Sequence, residues 1–133
     1  YGVREFMDNT KKFAKKTGHV STLLGRKIHV ANITHNNFQI RSAAERTAIN
    51  APIQGTAADI LKVAMINIKD WIDKENAPIK MIMQVHDELV FEVSKNFVDD
   101  ANKMISDQMI KCCTLDVPLV VDIGVGNNWD KAH

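Results

Sequence analysis

Cysteine is almost missing from this sequence. Its 133 residues hold two, Cys112 and Cys113, side by side. That is too few for a disulfide framework, and adjacent cysteines lack the two-residue spacer of a zinc site, so a reducing, cytoplasmic setting is expected. Long apolar runs are missing too. None approaches the roughly 18 residues expected of a membrane span, and no charged-then-apolar leader opens the chain, so no membrane partner is expected. Net charge of one sign is also lacking, at a formal +1. Internal repeats and low-complexity linkers are absent, which leaves one domain as the reading. The sequence starts at Tyr1 rather than Met, and its first residues already read as helical, so a piece of a longer chain is expected.

What is present begins with a hydrophobic content of 45%, enough for a core in a chain of this length. The near-neutral total hides an uneven distribution. Residues 1–50 hold nine Lys/Arg against three Asp/Glu, and residues 51–133 hold eight against thirteen, or +6 beside −5. One surface suited to polyanions and a separate carboxylate-rich region suited to cations would give this pattern, and so would an ordinary uneven surface.

Residues 3–16 (VREFMDNTKKFAKK) have the spacing of an amphipathic helix, stopped by Gly18. VSTLLGRKIHV reads as a hairpin around Gly25, and ANITHNNFQI as a loop. From about Arg41 the pattern is helical until Pro52, which lacks the backbone donor its position needs, so a break or kink is expected there. A second helix should start at or just after Pro52, with Leu61, Ala64, Ile68 and Ile72 in its apolar stripe, and end before Pro78. KMIMQV and LVFEV read as two strands joined by His86-Asp87-Glu88. Asn96 is suited to cap a further helix carrying Ala101 and Ile105, and Leu119 to Val125 reads as a last strand. The expected fold class is α+β, with helices packed on a small, mostly antiparallel sheet.

Three groups could carry chemistry. At the hairpin tip, Asp87 and Glu88 would point to opposite faces of a straight strand, but a sharp turn would let both approach one cation. Two carboxylates at a tight turn suit Mg²⁺, a hard ion that takes oxygen ligands and keeps several waters; a plain polar turn fits the same residues. Arg46, Asn50 and Gln54 fall at i, i+4 and i+8 and offer donors for minor-groove acceptors, where little sequence is read. A solvated helix face fits them equally. Lys11, Lys12, Lys15 and Lys16, with Arg26, Lys27 and Arg41, could neutralise phosphates without reading bases.

The strings AERTAINAPIQGTAADILKVAM, IKMIMQVHDELVFEV and DVPLVVDIGVGNNWDKAH, with TLLGRK at residues 22–27, together resemble the carboxyl-terminal palm portion of family A DNA polymerases of the bacterial DNA polymerase I kind. The resemblance spans nearly the whole chain, with long strings in order and at natural separations. It implies that VHDEL, residues 85–89, is the family's third polymerase motif. Asp87 would then be a ligand of the catalytic magnesium ions and Glu88 an accessory carboxylate. His86 would hold the primer terminus, and Arg46, Asn50 and Gln54 would follow the minor-groove side of the new base pairs. Arg26 and Arg41 would be backbone contacts. Primer-template DNA, dNTP and the remainder of the polymerase chain are the implied partners, in a bacterial, nucleoid-associated setting.

The implied reaction uses two ions roughly 3.5–4 Å apart to activate the primer 3′-hydroxyl and stabilise the leaving pyrophosphate. The family's other metal-binding aspartate lies in a string of the type DYSQIE, which these residues do not contain; nor do they contain the fingers helix or thumb. The 133 residues alone are therefore expected to be inactive. Two rival readings remain: a metal-dependent nuclease recruiting Glu92 or Asp122 beside Asp87 and Glu88, and a non-catalytic duplex-DNA-binding module.

Overall fold

A computed structural model of the chain describes residues 2–132, so Tyr1 and His133 lie outside the described residues. Two compact units divide the chain, Tyr1–Asp59 and Ile60–His133. The architecture is α+β, with helices and two small antiparallel sheets.

The first unit opens with α1 (Gly2–Thr17). Gly18 ends it with a φ of +74°, a conformation that costs glycine little, and donates its N–H to the Ala14 carbonyl at 2.8 Å. Strands β1 (His19–Ser21) and β2 (Lys27–His29) pair antiparallel, with Val20 opposite Ile28. Helix α2 starts at Phe38, three residues before the expected start. Asn37 caps it, its Oδ1 accepting the Gln39 N–H at 2.9 Å and the Ile40 N–H at 3.3 Å. The core of this unit gathers Ala14, Val20, Val30, Ile33, Ala44 and Ala48.

The expected break at Pro52 does not occur. Helix α2 runs unbroken from Phe38 to Glu75 with Pro52 inside it. Proline deprives the Ala48 carbonyl of its donor, a loss confined to one turn. Alanine-rich turns before it and a buried stripe after it, Leu61, Ala64, Ile68 and Ile72, favour helix on both sides. The Thr56 hydroxyl also donates to the Pro52 carbonyl at 2.6 Å.

In the second unit, β3 (Ile79–Val85) and β4 (Glu88–Val93) form an antiparallel hairpin. The pairing jumps from Met81 opposite Phe91 to Met83 opposite Val90, so Ile82 is a bulged extra residue and is half exposed. Before the bulge, alternation sends Ile79 and Met81 towards the core. After it, Met83 and Val85 share the opposite face with Val90 and Glu88. The core face of β4, Leu89, Phe91 and Val93, packs against Ile68, Ile72 and Ile105.

Two further expectations are corrected. Asn96 caps nothing: it sits inside a single 3₁₀ turn, Lys95–Phe97, and α3 (Val98–Lys111) begins directly after it, with Phe97 at the cap position and no side-chain cap bond. Acidic Asp99 and Asp100 in the first turn of α3 compensate, favoured by the amino-terminal end of the helix dipole. Residues 119–125 form no strand. Their alternation is β-like, but a strand exists only through a paired neighbour, and this segment pairs with none among the described residues; Val120 is 82% exposed. The chain then reaches a single turn, α4 (Trp129–Ala132).

Candidate functional site

Register fixes the hairpin tip. Val85 pairs with Glu88, so the turn contains only His86 and Asp87, and Glu88 is the first residue of β4 rather than part of a three-residue turn. His86 has a φ of +53°, and Asp87 is not among the positive-φ residues. Those are the φ signs of a type II′ turn, whose first position normally falls to glycine. The Gln84 side-chain amide donates to the His86 carbonyl at 3.1 Å and braces the turn from within. His86 and Asp87 are exposed and Glu88 is half-buried.

A sharp turn is the condition under which two successive carboxylates can serve one cation. Asp87 sits on the turn, while Glu88 leaves the first position of β4 on the face away from the core. Two oxygen-bearing side chains beside solvent suit Mg²⁺, which binds through one or two carboxylates and retains water. They do not form a complete cage: among the described residues no three His, Cys, Asp or Glu side chains converge to hold a metal. Glu92 lies four residues along β4, about 13 Å from Glu88 at strand spacing, and stands opposite Lys80. Asp122 lies in the segment without regular structure. The third carboxylate that a nuclease site required is therefore not assembled.

Arg46, Asn50 and Gln54 are all exposed on α2. The unbroken helix keeps them on one side, fanned over about 80° and spanning about 12 Å. Arg46 makes a long contact from Nη1 to the Ser42 Oγ at 3.4 Å. The triplet belongs to the first unit and the hairpin tip to the second.

The other two candidate arginines, Arg26 and Arg41, are engaged within the chain. Arg26 donates from Nε to the Asp59 Oδ1 at 2.7 Å and from Nη2 to the Gly55 carbonyl at 3.1 Å. Arg41 donates from Nη1 to the carbonyls of His35 at 2.8 Å and Asn36 at 3.3 Å, with its guanidinium 5.8 Å from the centre of the Phe38 ring. Both hold loops against α2. Among the lysines, Lys11 pairs with Asp8 at 3.0 Å and Lys15 with Glu45 at 2.6 Å, while Lys12 and Lys16 are exposed. The Lys15 hydrogen bond holds the Glu45 carboxyl below its usual range, against an opposing push from burial. Sequence reasoning missed the Arg26–Asp59–Gly55 contact. Its one legible trace was Gly55, an isolated glycine inside an otherwise good helix.

Burial pushes the Cys112 thiol above its usual range, and the neighbouring Cys113 adds to this. Cys112 Sγ donates to the Met109 carbonyl at 3.0 Å. The pair is structural in its contacts.

The model of DNA polymerase family A matches residues 1–131. The chain belongs to DNA polymerase family A. It is 48% identical over 132 residues to DNA polymerase I of Pseudomonas aeruginosa, covering 99% of this chain and 14% of that protein. Over 131 residues it is 42% identical to DNA polymerase I of Bacillus subtilis, covering 98% of this chain and 15% of the relative. Among solved structures, the POL domain of Pol1 from M. smegmatis, a complex with DNA primer-template and dNTP, superposes with a TM-score of 0.94 at 44% identity, covering 98% of this chain and 23% of that one. The chain thus spans about one seventh of the length of these curated family A relatives.

Proposed function

We propose that these residues are part of a DNA-directed DNA polymerase that adds dNTPs to a primer 3′-hydroxyl in replication and repair, and that they form the carboxyl-terminal part of its palm. The observation that carries the reading is the two-residue turn that sets Asp87 in solvent beside Glu88, within a chain that matches family A almost end to end. Asp87 is the magnesium ligand, and Glu88 contributes negative field at the same point. When bound, the paired ions of such a site lower the pKa of the attacking hydroxyl and offset charge on the leaving pyrophosphate. The chain's own residues do the rest by holding. His86, projecting from a fixed turn, steadies the primer end. Arg46, Asn50 and Gln54 donate hydrogen bonds to minor-groove acceptors, which every correct base pair offers in nearly the same places, so geometry is sensed with little regard to sequence.

The partner aspartate of a two-metal site, the nucleotide-binding fingers helix and the rest of the chain come from outside these residues. The setting is the bacterial cytoplasm, at the nucleoid, and no described helix is long and apolar enough to cross a membrane.

Magnesium-dependent primer extension tests the reading. The 133 residues alone are expected to give none, and Asp87→Ala in the full-length protein is expected to lower the rate at least a hundredfold, as for lost transition-state stabilisation of about 3 kcal/mol or more. Full-length protein that kept its rate after Asp87→Ala would remove Asp87 from the metal site. Duplex binding that is unchanged by both Asp87→Ala and magnesium, in a protein without polymerase activity, would favour the binding-module reading.

A further inference from the structure

We infer that Arg26 is a positioning residue: through Asp59 and Gly55 it sets the place of Gln54 and Asn50 on the duplex-facing side of α2. The inference rests on the minor-groove reading of those two side chains. Four contacts within the first unit converge on one stretch of α2, residues 52–59. Arg26 bonds Asp59 through Nε at 2.7 Å and the Gly55 carbonyl through Nη2 at 3.1 Å. The Leu23 N–H donates to the Thr56 Oγ1 at 2.9 Å, and that hydroxyl donates onward to the Pro52 carbonyl at 2.6 Å. At Gly55 there is no room for a side chain: a Cβ would stand 2.7 Å from the Thr22 Cγ2 and 2.8 Å from the Ile28 Cδ1.

Three of these hydrogen bonds tie the β1–β2 hairpin to the stretch of helix that bears Gln54, and the Thr56–Pro52 bond braces that stretch from within. This turn needs an external tie. Pro52 removes one helical hydrogen bond here, so the helix by itself holds the orientation of residues 52–56 less firmly than elsewhere. The connector between β1 and β2 is built to present Arg26: its N–H donates to the Thr22 Oγ1 at 3.0 Å, and its carbonyl accepts the Thr22 N–H at 2.9 Å. Thr22 is only 5% exposed, which fixes the base of the loop. A guanidinium with two hydrogen bonds at set directions transmits orientation, which a single point charge does not. Two of the five N–H donors of Arg26 are committed inside the fold, to Asp59 and Gly55.

The test is made in the full-length protein with primers ending in 3-deazaadenine, or templates carrying it opposite the primer end, which still pair but lack the minor-groove N3 acceptor. Removal of that acceptor is expected to lower kcat/KM about tenfold in the unaltered protein, the size of one lost hydrogen bond from a well-placed donor. Gln54→Ala is expected to abolish the penalty. Asp59→Asn and Arg26→Lys, which alter the tie without emptying the site, are expected to shrink it, Arg26→Lys less so because it keeps the charge on Asp59. Melting of each variant is followed in parallel. A penalty that is lost in Gln54→Ala but kept in full by Asp59→Asn and Arg26→Lys, even with lowered melting, overturns the positioning role alone. No penalty in the unaltered protein, or one that survives Gln54→Ala, overturns the minor-groove reading and this inference with it.

Discussion

His86 holds a φ of +53°, in a region where a β-carbon is crowded and where glycine sits without cost. A histidine there stores strain of about 1 kcal/mol, which persists because the paired strands on either side dictate the turn. His86→Gly is therefore expected to raise stability by about 1 kcal/mol in denaturant unfolding, while it weakens the hold on the primer end, read as a higher KM for primer-template. A gain in stability with unchanged KM would leave His86 a turn residue only. Glu45 makes a second prediction at this scale. Its folded pKa is lowered, chiefly by the Lys15 hydrogen bond, so its contribution is present above the unfolded value and is lost as pH falls through the folded one. Below about pH 4 the pair weakens, and Glu45→Gln is expected to flatten that part of the melting-temperature profile. The sequence located the His86-Asp87-Glu88 tip but assigned all three residues to the turn. That division depends on the bulge at Ile82, and nothing local in MIMQV announces a bulge.

Among the elements, α2 departs most from what was legible. Pro52 argued for a break because an isolated helix could not tolerate it; in the fold, flanking helical turns and a buried stripe outweigh one missing bond. Pro52→Ala restores that bond and is expected to stabilise the chain by about 1–3 kcal/mol, measured as an upward shift of the unfolding midpoint at constant m-value. The start of α2 was missed by three residues because Asn37 lies in a polar stretch, NITHNN, in which several residues could cap equally well. The β1–β2 hairpin and its Gly25 were legible, since a glycine between two short β-prone runs leaves few alternatives. Residues 119–125 were misread for the opposite reason. Strand propensity was present there, but pairing is a property of a neighbour, and propensity carries no information about one.

At the scale of the whole molecule, the basic first half and acidic second half remain visible, but the basic charge is less available than its count implied. Arg26, Arg41, Lys11 and Lys15 are engaged with partners inside the chain, whereas Lys12 and Lys16 are exposed on α1. If phosphates are met by that helix, Lys12→Ala with Lys16→Ala is expected to reduce the slope of log affinity against log salt by about 2, near one unit for each phosphate no longer neutralised. Lys15→Ala is expected to leave the slope unchanged; an equal effect from all three lysines would mean that the Lys15–Glu45 pair opens on the duplex. Composition could not have made this distinction, since it counts charges and not their partners. Family membership was legible from long ordered strings, because many residues must agree at once for such strings to match.

The single extra residue in β3 makes the hairpin a device of parity. Faces of a strand are odd or even, and Ile82 changes the count by one, so in β3 the residues beyond it are turned over relative to those before, while β4 keeps its alternation. Below Ile82, Ile79 and Met81 of β3 face the core; above it, Met83 and Val85 share the face of Glu88. A change of two residues in each strand above the bulge would only move the tip nearer or farther, by about 7 Å, and leave its carboxylates on the same side. A change of one would invert them. The length of this hairpin is thus constrained in steps of two per strand, so lengthening or shortening both strands of its upper stem by one residue should be far more damaging than by two, whatever the residues involved.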